Sequence, residues 1–594
     1  MMGDQGTLEL GVIGNGSVAA LIDRQARMVW SCLPRMDGDP VFCALLEPVA
    51  DAGYFAVEVE NQAASTQAYL HNSAILSTRI TTTEGASVEI LDFAPRSKQH
   101  GRLYHPAGFV RRIRPLSGTP RLRLRLRPTM GYGARIPERT VGSNHVRYLL
   151  DDFVLRATTD APLPMLVEEL PFVLDREIDV VLGVDETLGT SPARHARLEF
   201  ESTLDYWQEW VRYLSIPAEW QDAVIRAAIT LKLCQYEGTG AILAAMTTSI
   251  PEASGSMRNW DYRYCWLRDA AFVVRALNRL GATRSMEEYL RYVFNLASTD
   301  GELAPVYGIH FERELHEREA PALRGYRGMG PVRIGNDAWR QTQHDTYGSV
   351  ILAATQLFFD RRLLATGDES TFARLEPAGE AAWRSHERPD AGLWEYRNRA
   401  SVHTYSSVMC WAGCDRLARI AAYIGLQSRE RLWRRRADEM RARILERAVH
   451  PLHGHFVDVF GGEGLDASLL LLAELGFVAP TDPRYVATVE AIGQHLLRDP
   501  LVFRYAAPDD FGAPETGFTI CSFWYVDALA SIGRVDEARA IFQQLLDRRT
   551  ALGLLSEDMA VDGRELWGNF PQTYSMVGLI HSAMKLSRSW DQLL

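Results

Sequence analysis

The sequence lacks a long apolar run, a leader-like opening and an even set of cysteines, and each absence excludes a class of protein. A bilayer span needs about 20 apolar residues in a row, and no stretch approaches that. The opening MMGDQGTLELG has neither a basic start nor an apolar run before a cleavage-like site, so no secretory signal is read and a cytoplasmic protein is expected. The seven cysteines, Cys32, Cys43, Cys234, Cys265, Cys410, Cys414 and Cys521, are scattered and mostly in apolar company. They read as buried thiols of a reducing compartment and not as a disulfide framework. Cys410 and Cys414 share a face of a predicted helix, but no neighbouring His or Cys completes a metal set. The formal net charge of −11 favours solubility and argues against a nucleic-acid surface or an anionic membrane. The basic run RLWRRRADEMRAR from Arg431 reads as a solvated helix face.

What is present divides in two. The 594 residues are too many for one hydrophobic core, so at least two domains are expected. Before residue 200 the pattern is strand-like: GYFAVEVE, YLHNSAILSTRITT and ASVEILDF are short runs separated by turn signals. In RLRLRLRP, from Arg121 to Pro128, leucine and arginine alternate strictly, which directs leucines to a core and arginines to solvent. This part reads as an antiparallel β-sandwich. From about Leu204 the period becomes helical. TLDYWQEWVRYL reads as a connecting helix, and roughly a dozen helices follow with almost no strand pattern. Several are apolar around much of their circumference, as inner helices under an outer layer are. Their number and pairing suggest a closed helical toroid. The predicted division is a sandwich over 1–200, a linker helix over 201–217 and a helical catalytic domain over 218–594. One long non-helical segment, residues 301–344, carries Tyr307, His310, Tyr326, Arg327, Arg333, Asn336 and Trp339. That composition is poor for disorder and suits a binding loop.

Two glutamates stand out for chemistry. Glu395 lies in GLWEYRNR and Glu557 in GLLSEDMAVDGRELWGNFPQTYS. Both sit where helical segments break into turns among Gly, Trp and Asn. Hydrolysis of a glycosidic bond needs a proton donor for the leaving oxygen and a second carboxylate to activate water or to attack. Trp394 gives Glu395 an apolar neighbour, a setting suited to a proton donor. SGSMRNWDYRYCWLRDAAF, from Ser254, packs Trp260, Asp261, Tyr262, Arg263, Tyr264, Trp266, Arg268 and Asp269 together at the start of an amphipathic helix. Aromatic faces stack on sugar rings, and Asp–Arg pairs hydrogen-bond sugar hydroxyls. The same residues also suit a buried ion-pair network at a helix start, and the sequence leaves both readings open.

The ordered motifs NWDYRYCWLRDA, GYRGMGPVRIGN, QTQHDTYGS, GLWEYRN, CSFWYVDAL and GNFPQTYS resemble those of glycoside hydrolase family 15, the glucoamylase and bacterial or archaeal trehalase family. The opening IGNGSVAALIDRQARMVWSCLPRMDGDPVFCALL resembles its prokaryotic members, so the likeness runs essentially the full length. It implies a multidomain β + α fold: an N-terminal antiparallel β-supersandwich, a linker helix and a C-terminal (α/α)6 barrel. It implies an inverting, exo-acting hydrolase with Glu395 as general acid and Glu557 as general base, their carboxyls about 6.5–9.5 Å apart. It implies that Arg268 and Asp269 grip the non-reducing glucose and that Trp266 and Trp394 line the pocket. Gln343 and Asp345 are expected to support it, and Arg35 of PRMDGDP to reach in from the sandwich. Tyr326 and Arg333 of the long loop complete the expected set.

Two positions depart from the family pattern. Tyr396 stands where glucoamylases of the fungal type have a second acid, and Met576 where many prokaryotic relatives have histidine. The expected partner is a small sugar, with trehalose favoured. Malto- or isomalto-oligosaccharides, transfer to a sugar acceptor, phosphorolysis, and a non-catalytic carbohydrate-binding protein on the same fold are the alternatives. The chemistry implies no cofactor and no metal, with phosphate or magnesium as candidate activators. No nucleic-acid or membrane partner is expected, and self-association is left open.

Overall fold

The computed structural model describes residues 7–297, 302–563 and 565–593. Residues 1–6, on which the reading of the opening mostly rests, lie outside them, as does residue 301 of the long loop.

The N-terminal part is two facing antiparallel sheets. The first runs, in spatial order, Gly11–Gly14, Ala19–Ile22, Met28–Cys32, Tyr54–Val59, Arg121–Arg127 and Phe172–Val173, with Pro40–Phe42 paired to Met28–Cys32. The second runs from Glu138–Val141 through His145–Leu149, Val154–Thr159, Ile178–Val184, Gly108–Ser117, Ser87–Phe93 and Leu76–Thr82 to Gln62–Tyr69. The leucine–arginine strand behaves as its alternation dictates. Leu122, Leu124 and Leu126 are buried, while Arg121, Arg125 and Arg127 pair on the outer face with Glu60, Glu58 and Glu169. One arginine goes inward. Arg111 is buried with Asp92 at 2.7 Å and donates to the Phe55 carbonyl of the facing sheet at 3.0 Å, so a satisfied charge bolts the sheets together.

The connecting helix runs over Pro192–Arg212, earlier than the expected 201–217. Ser191 accepts a hydrogen bond from the Arg194 amide and Pro192 fixes the first helical residue, so the helix begins at this cap and not at the first apolar repeat.

The rest is a double-layered helical barrel. The inner elements are Leu267–Arg279, Asp345–Phe359, Thr404–Tyr423, Ala467–Leu471, Thr519–Ser531 and Thr573–Leu586. Each packs on the next, and the last returns to the first, which closes the ring. The outer layer is Gln221–Leu233, Thr283–Ala297, Glu369–Ser385, Gln427–Arg447, Pro483–His495 and Val535–Leu546. Layer follows sequence. Thr519–Ser531 is buried on almost every side, whereas Gln427–Arg447 buries only Trp433, Ala437, Met440 and Ile444, spaced three and four apart. The fourth inner element, where SLLLLAELG predicted an α-helix, is a five-residue 3-10 turn capped by the Asp466 carboxylate. The basic run of the outer helix is solvated only in part: Arg434 pairs with Asp415 and Arg436 with Glu380, each at 2.6 Å. All seven cysteines are buried free thiols. Among the described residues no group of three or more His, Cys, Asp or Glu suits a metal ion, and no helix is long and apolar enough to cross a membrane.

Arg263 joins sandwich to barrel. It forms a doubly bonded pair with Asp261, at 2.9 and 2.7 Å, and both side chains are completely buried. It also donates to the sandwich, to the Gly38 carbonyl at 2.6 Å, the Cys32 sulfur at 3.4 Å and the Tyr132 hydroxyl at 3.4 Å. Trp30 returns the contact by donating to the Met246 carbonyl at 2.7 Å. Arg263→Leu strands the Asp261 carboxylate in the interface, a change that costs about 3–5 kcal/mol. The expected result is a lower urea midpoint, read by tryptophan fluorescence, with an unchanged helical spectrum before the transition.

Candidate active site

The inner helices begin at one end of the barrel, and a cavity of about 860 Å³, open mouth included, lies there. Asp269 and Asp345 sit in first turns, where exposed amides and the helix dipole favour negative charge.

The segment Trp260–Asp269 divides between the contact with the sandwich and the cavity wall. Asp261 and Arg263 turn toward the sandwich as the buried ion pair. Cys265–Trp266 forms a two-residue ladder with Val306–Tyr307, after which the helix starts at Leu267. Trp266, Arg268 and Asp269 thereby line the cavity, with Trp260 and Tyr262. Arg268 donates to Asp269 at 2.9 Å and to Gln343 at 3.1 Å, and stands 3.9 Å from Asp345 and 3.6 Å from Glu395. Burial pushes Asp269 up to about 6 against the pull of Arg268. Burial also raises Asp345 against the pull of Arg268.

Glu395 occupies a tight turn with φ of 59°, left-handed and uncommon for a side chain of this kind. Its amide donates to the Gly392 carbonyl at 3.1 Å, and its own carbonyl accepts from Gln341 at 3.1 Å. The carboxylate Oε1 accepts from the Trp266 indole at 2.7 Å and from Gln343 at 3.2 Å. The indole that meets this carboxylate is therefore that of Trp266. Trp394, the neighbour in sequence, lines the cavity but gives its indole N–H to Asp466 at 2.9 Å and packs its ring near Tyr505, Phe518 and Trp524.

Glu557 lines the same cavity and is 1% exposed, so its ionisation depends on its neighbours. Its carbonyl accepts the first amide of the helix Thr519–Ser531 at 2.9 Å, and Asp558, next in chain, pairs with Phe518 and Trp567 in a small three-stranded ladder. Burial pushes Glu557 well above the usual carboxylate range; Glu252 and Asp558 push it further, while Tyr262 and Arg504 pull it back. Glu252 is held in turn by the Trp260 indole at 3.2 Å and by the Arg504 guanidinium.

The remaining predicted residues divide. Gln343 and Asp345 stand behind Arg268 as support. Arg333 braces the wall from outside: it donates to the Asn259 carbonyl at 2.9 Å and lies over the Trp260 ring at 4.8 Å. Arg35 and Tyr326 are not among the cavity-lining residues. Arg35 is bound to Asp37 at 2.7 Å and Glu312 at 2.9 Å, and Tyr326 is buried with its ring edge-on to Trp567 at 6.1 Å. From the long loop it is Asn336, Ala338 and Gln341 that reach the cavity. Sequence reasoning missed Glu252, Arg258, Arg504, Gln572 and Tyr574. Glu252 and Arg258 flank the NWDYRYCWLRDA motif and were findable by proximity; Arg504 has no such signal. Tyr396 lines the cavity and is stacked on His403 at 5.7 Å, with Arg399 over its ring at 3.7 Å. Met576 is completely buried and outside the cavity wall, so its effect is on packing.

Gly568 presses on Glu557. A methyl group there would stand 2.7 Å from Oε2 and 2.6 Å from Cβ of Glu557, at a φ of 73° that disfavours any side chain. Gly568→Ala must displace the carboxylate. Turnover is expected to fall about 100-fold, the scale of an ångström's misplacement, with KM changing far less, as steady-state kinetics will show.

The chain matches the family model described as "Glycosyl hydrolases family 15" over residues 219–584, and a model described as "Trehalase-like, N-terminal" over residues 3–147. It is 32% identical to a trehalase of Mycobacterium tuberculosis, covering 98% of this chain and 89% of that one. It is 29% identical to a trehalase of Thermoplasma volcanium, covering 98% and 93%. A bacterial glucoamylase solved with acarbose shares the fold, with a TM-score of 0.69 at 13% identity over 100% of this chain and 96% of that one. With two carboxylates lining one cavity of a closed helical barrel, the chain belongs to glycosyl hydrolase family 15 and is a glycoside hydrolase.

Proposed function

We propose that this hydrolase is an inverting trehalase. The observation that carries the reading is the placement of Glu395 and Glu557 on one cavity whose floor is the Arg268–Asp269 pair. The relatives named above as trehalases, aligned along nearly the whole chain, support the substrate. One glucose unit sits on Arg268 and Asp269. Glu395 gives its proton to the glycosidic oxygen as that bond breaks. Glu557 takes a proton from water, and the water attacks the anomeric carbon from the opposite face. One glucose leaves as the β anomer and the other keeps its α configuration. Residues 218–594 carry this chemistry, the helix Pro192–Arg212 links, and the sandwich before it braces the wall through Arg263.

The acid–base step uses side chains and water; phosphate or magnesium would act as activators outside it. The arginines that a phosphorolytic reading would use are otherwise engaged: Arg327 pairs with Glu565 at 2.6 Å and Arg333 with Glu317 at 3.3 Å. Seven buried free thiols suit a reducing, cytoplasmic setting.

Proton NMR of early turnover on trehalose is expected to show equal α- and β-glucose; two α products would overturn inversion. Glu395→Gln and Glu557→Gln are each expected to lower kcat on trehalose by about 10²–10⁴. The pH profile follows from Glu557. A base works deprotonated, so kcat/KM falls as pH drops through its pKa, and a raised pKa puts this acidic limb above the usual carboxylate range. Glu252→Gln removes a neighbouring negative charge and is expected to move the limb about one pH unit lower. A limb that stays or rises would rule out Glu557 as the group observed.

A further inference from the structure

The turn that carries Glu395 is held from outside by Gln341, by the pairing of Arg397 with Glu317 at 2.8 Å, and by a residue with no part in the scheme above. Strained backbone of this kind persists only where its surroundings over-determine it. Within the turn, Glu395 and Tyr396 donate to the Gly392 and Ala391 carbonyls, each at 3.1 Å. The next two amides, of Arg397 and Asn398, have their acceptor in a distant segment: both donate to Oδ2 of Asp510, at 2.7 and 3.2 Å. The segment that carries Asp510 is itself anchored to Arg258 and Tyr505. Asp509 accepts from Arg258 at 2.7 Å and from the Tyr505 hydroxyl, and Arg258 also donates to the Gly512 carbonyl at 2.8 Å. Between these anchors Phe511 lies edge-on to Trp260 at 5.1 Å. Asp510 lines the cavity, and among the described residues its carboxylate accepts hydrogen bonds from these two amides alone.

Resting on the assignment of Glu395 as proton donor, we infer that Asp510 is a positioning residue for that donor. Its carboxylate ties the turn of the acid to the wall that holds Arg258, and so fixes the distance from the Glu395 carboxyl to the glycosidic oxygen. A charged acceptor shared by two amides is a stiff tether, and small misplacement of a catalytic group costs large factors in rate. Asp510 touches neither reacting atom in this account.

The test separates leaving groups that need protonation from one that does not. Trehalose loses a sugar alkoxide, which must be protonated; α-glucosyl fluoride loses fluoride, which need not be. Asp510→Ala is expected to lower kcat on trehalose about 10- to 100-fold, with KM within about threefold, and to change hydrolysis of α-glucosyl fluoride less than about threefold. Asp510→Asn, which keeps a carbonyl acceptor, is expected to recover most of the loss. Equal losses on both substrates, a change mainly in KM, or no loss on trehalose would each overturn the proposal. Glu395→Gln, assayed beside it, tests the underlying assignment. If it spares the fluoride while Asp510→Ala does not, only the positioning role falls. If it loses both substrates alike, the acid assignment falls and the positioning role with it.

Discussion

A guanidinium buried at the mouth of the helical barrel organises everything around it. Arg268 cannot remain charged out of water without partners, and a buried charge that loses a partner is strongly destabilising. The chain supplies Asp269, Gln343, Asp345 and Glu395, drawn from three different stretches of sequence. Each partner is thereby fixed relative to the others. The floor that would hold a sugar ring and the carboxylate that would protonate its glycosidic oxygen are set by one electrostatic requirement.

The wall around Glu557 is arranged the other way, with acid in excess. Glu252, Glu557 and Asp558 influence one another, and Glu252 takes the nearest guanidinium, that of Arg504. Arg258, the other arginine of this wall, is committed mainly to Asp509. A carboxylate in such a place binds a proton more tightly than usual, which makes it a stronger base when ionised. The two walls thus differ in character, one donor-rich around Glu395 and one acid-rich around Glu557.

Neither wall stands on the barrel alone. The motif that delivers Trp266, Arg268 and Asp269 begins with Asp261 and Arg263, which face the sandwich and lock to it through Gly38 and Tyr132. The sandwich therefore bears on the geometry of a site to which it contributes no lining residue. The strap from Tyr505 to Thr516 plays a comparable part, since Asp509 binds Arg258 and Asp510 binds the turn of Glu395.

Local pattern alone determined much of this protein. Alternation in RLRLRLR set one strand and its outward arginines, and the all-round apolar helices declared themselves as an inner layer. The ordered motifs marked Glu395, Glu557, Trp266, Arg268 and Asp269, all of which line one cavity. Periodicity failed where a cap overrode it, at the start of the linker helix and at the 3-10 turn after Asp466. Adjacency misled as well: Trp394 is next to Glu395 in the chain, but the left-handed turn sends its indole to Asp466 and leaves the carboxylate to Trp266, 129 positions away. Arg504 and Asp510 carried no readable signal, because their roles arise from groups brought near only by closing the ring of helices. Tertiary structure alone decided which carboxylate is buried among acids and which among donors. That is a matter of through-space charge and desolvation, and neither leaves a periodic trace in sequence.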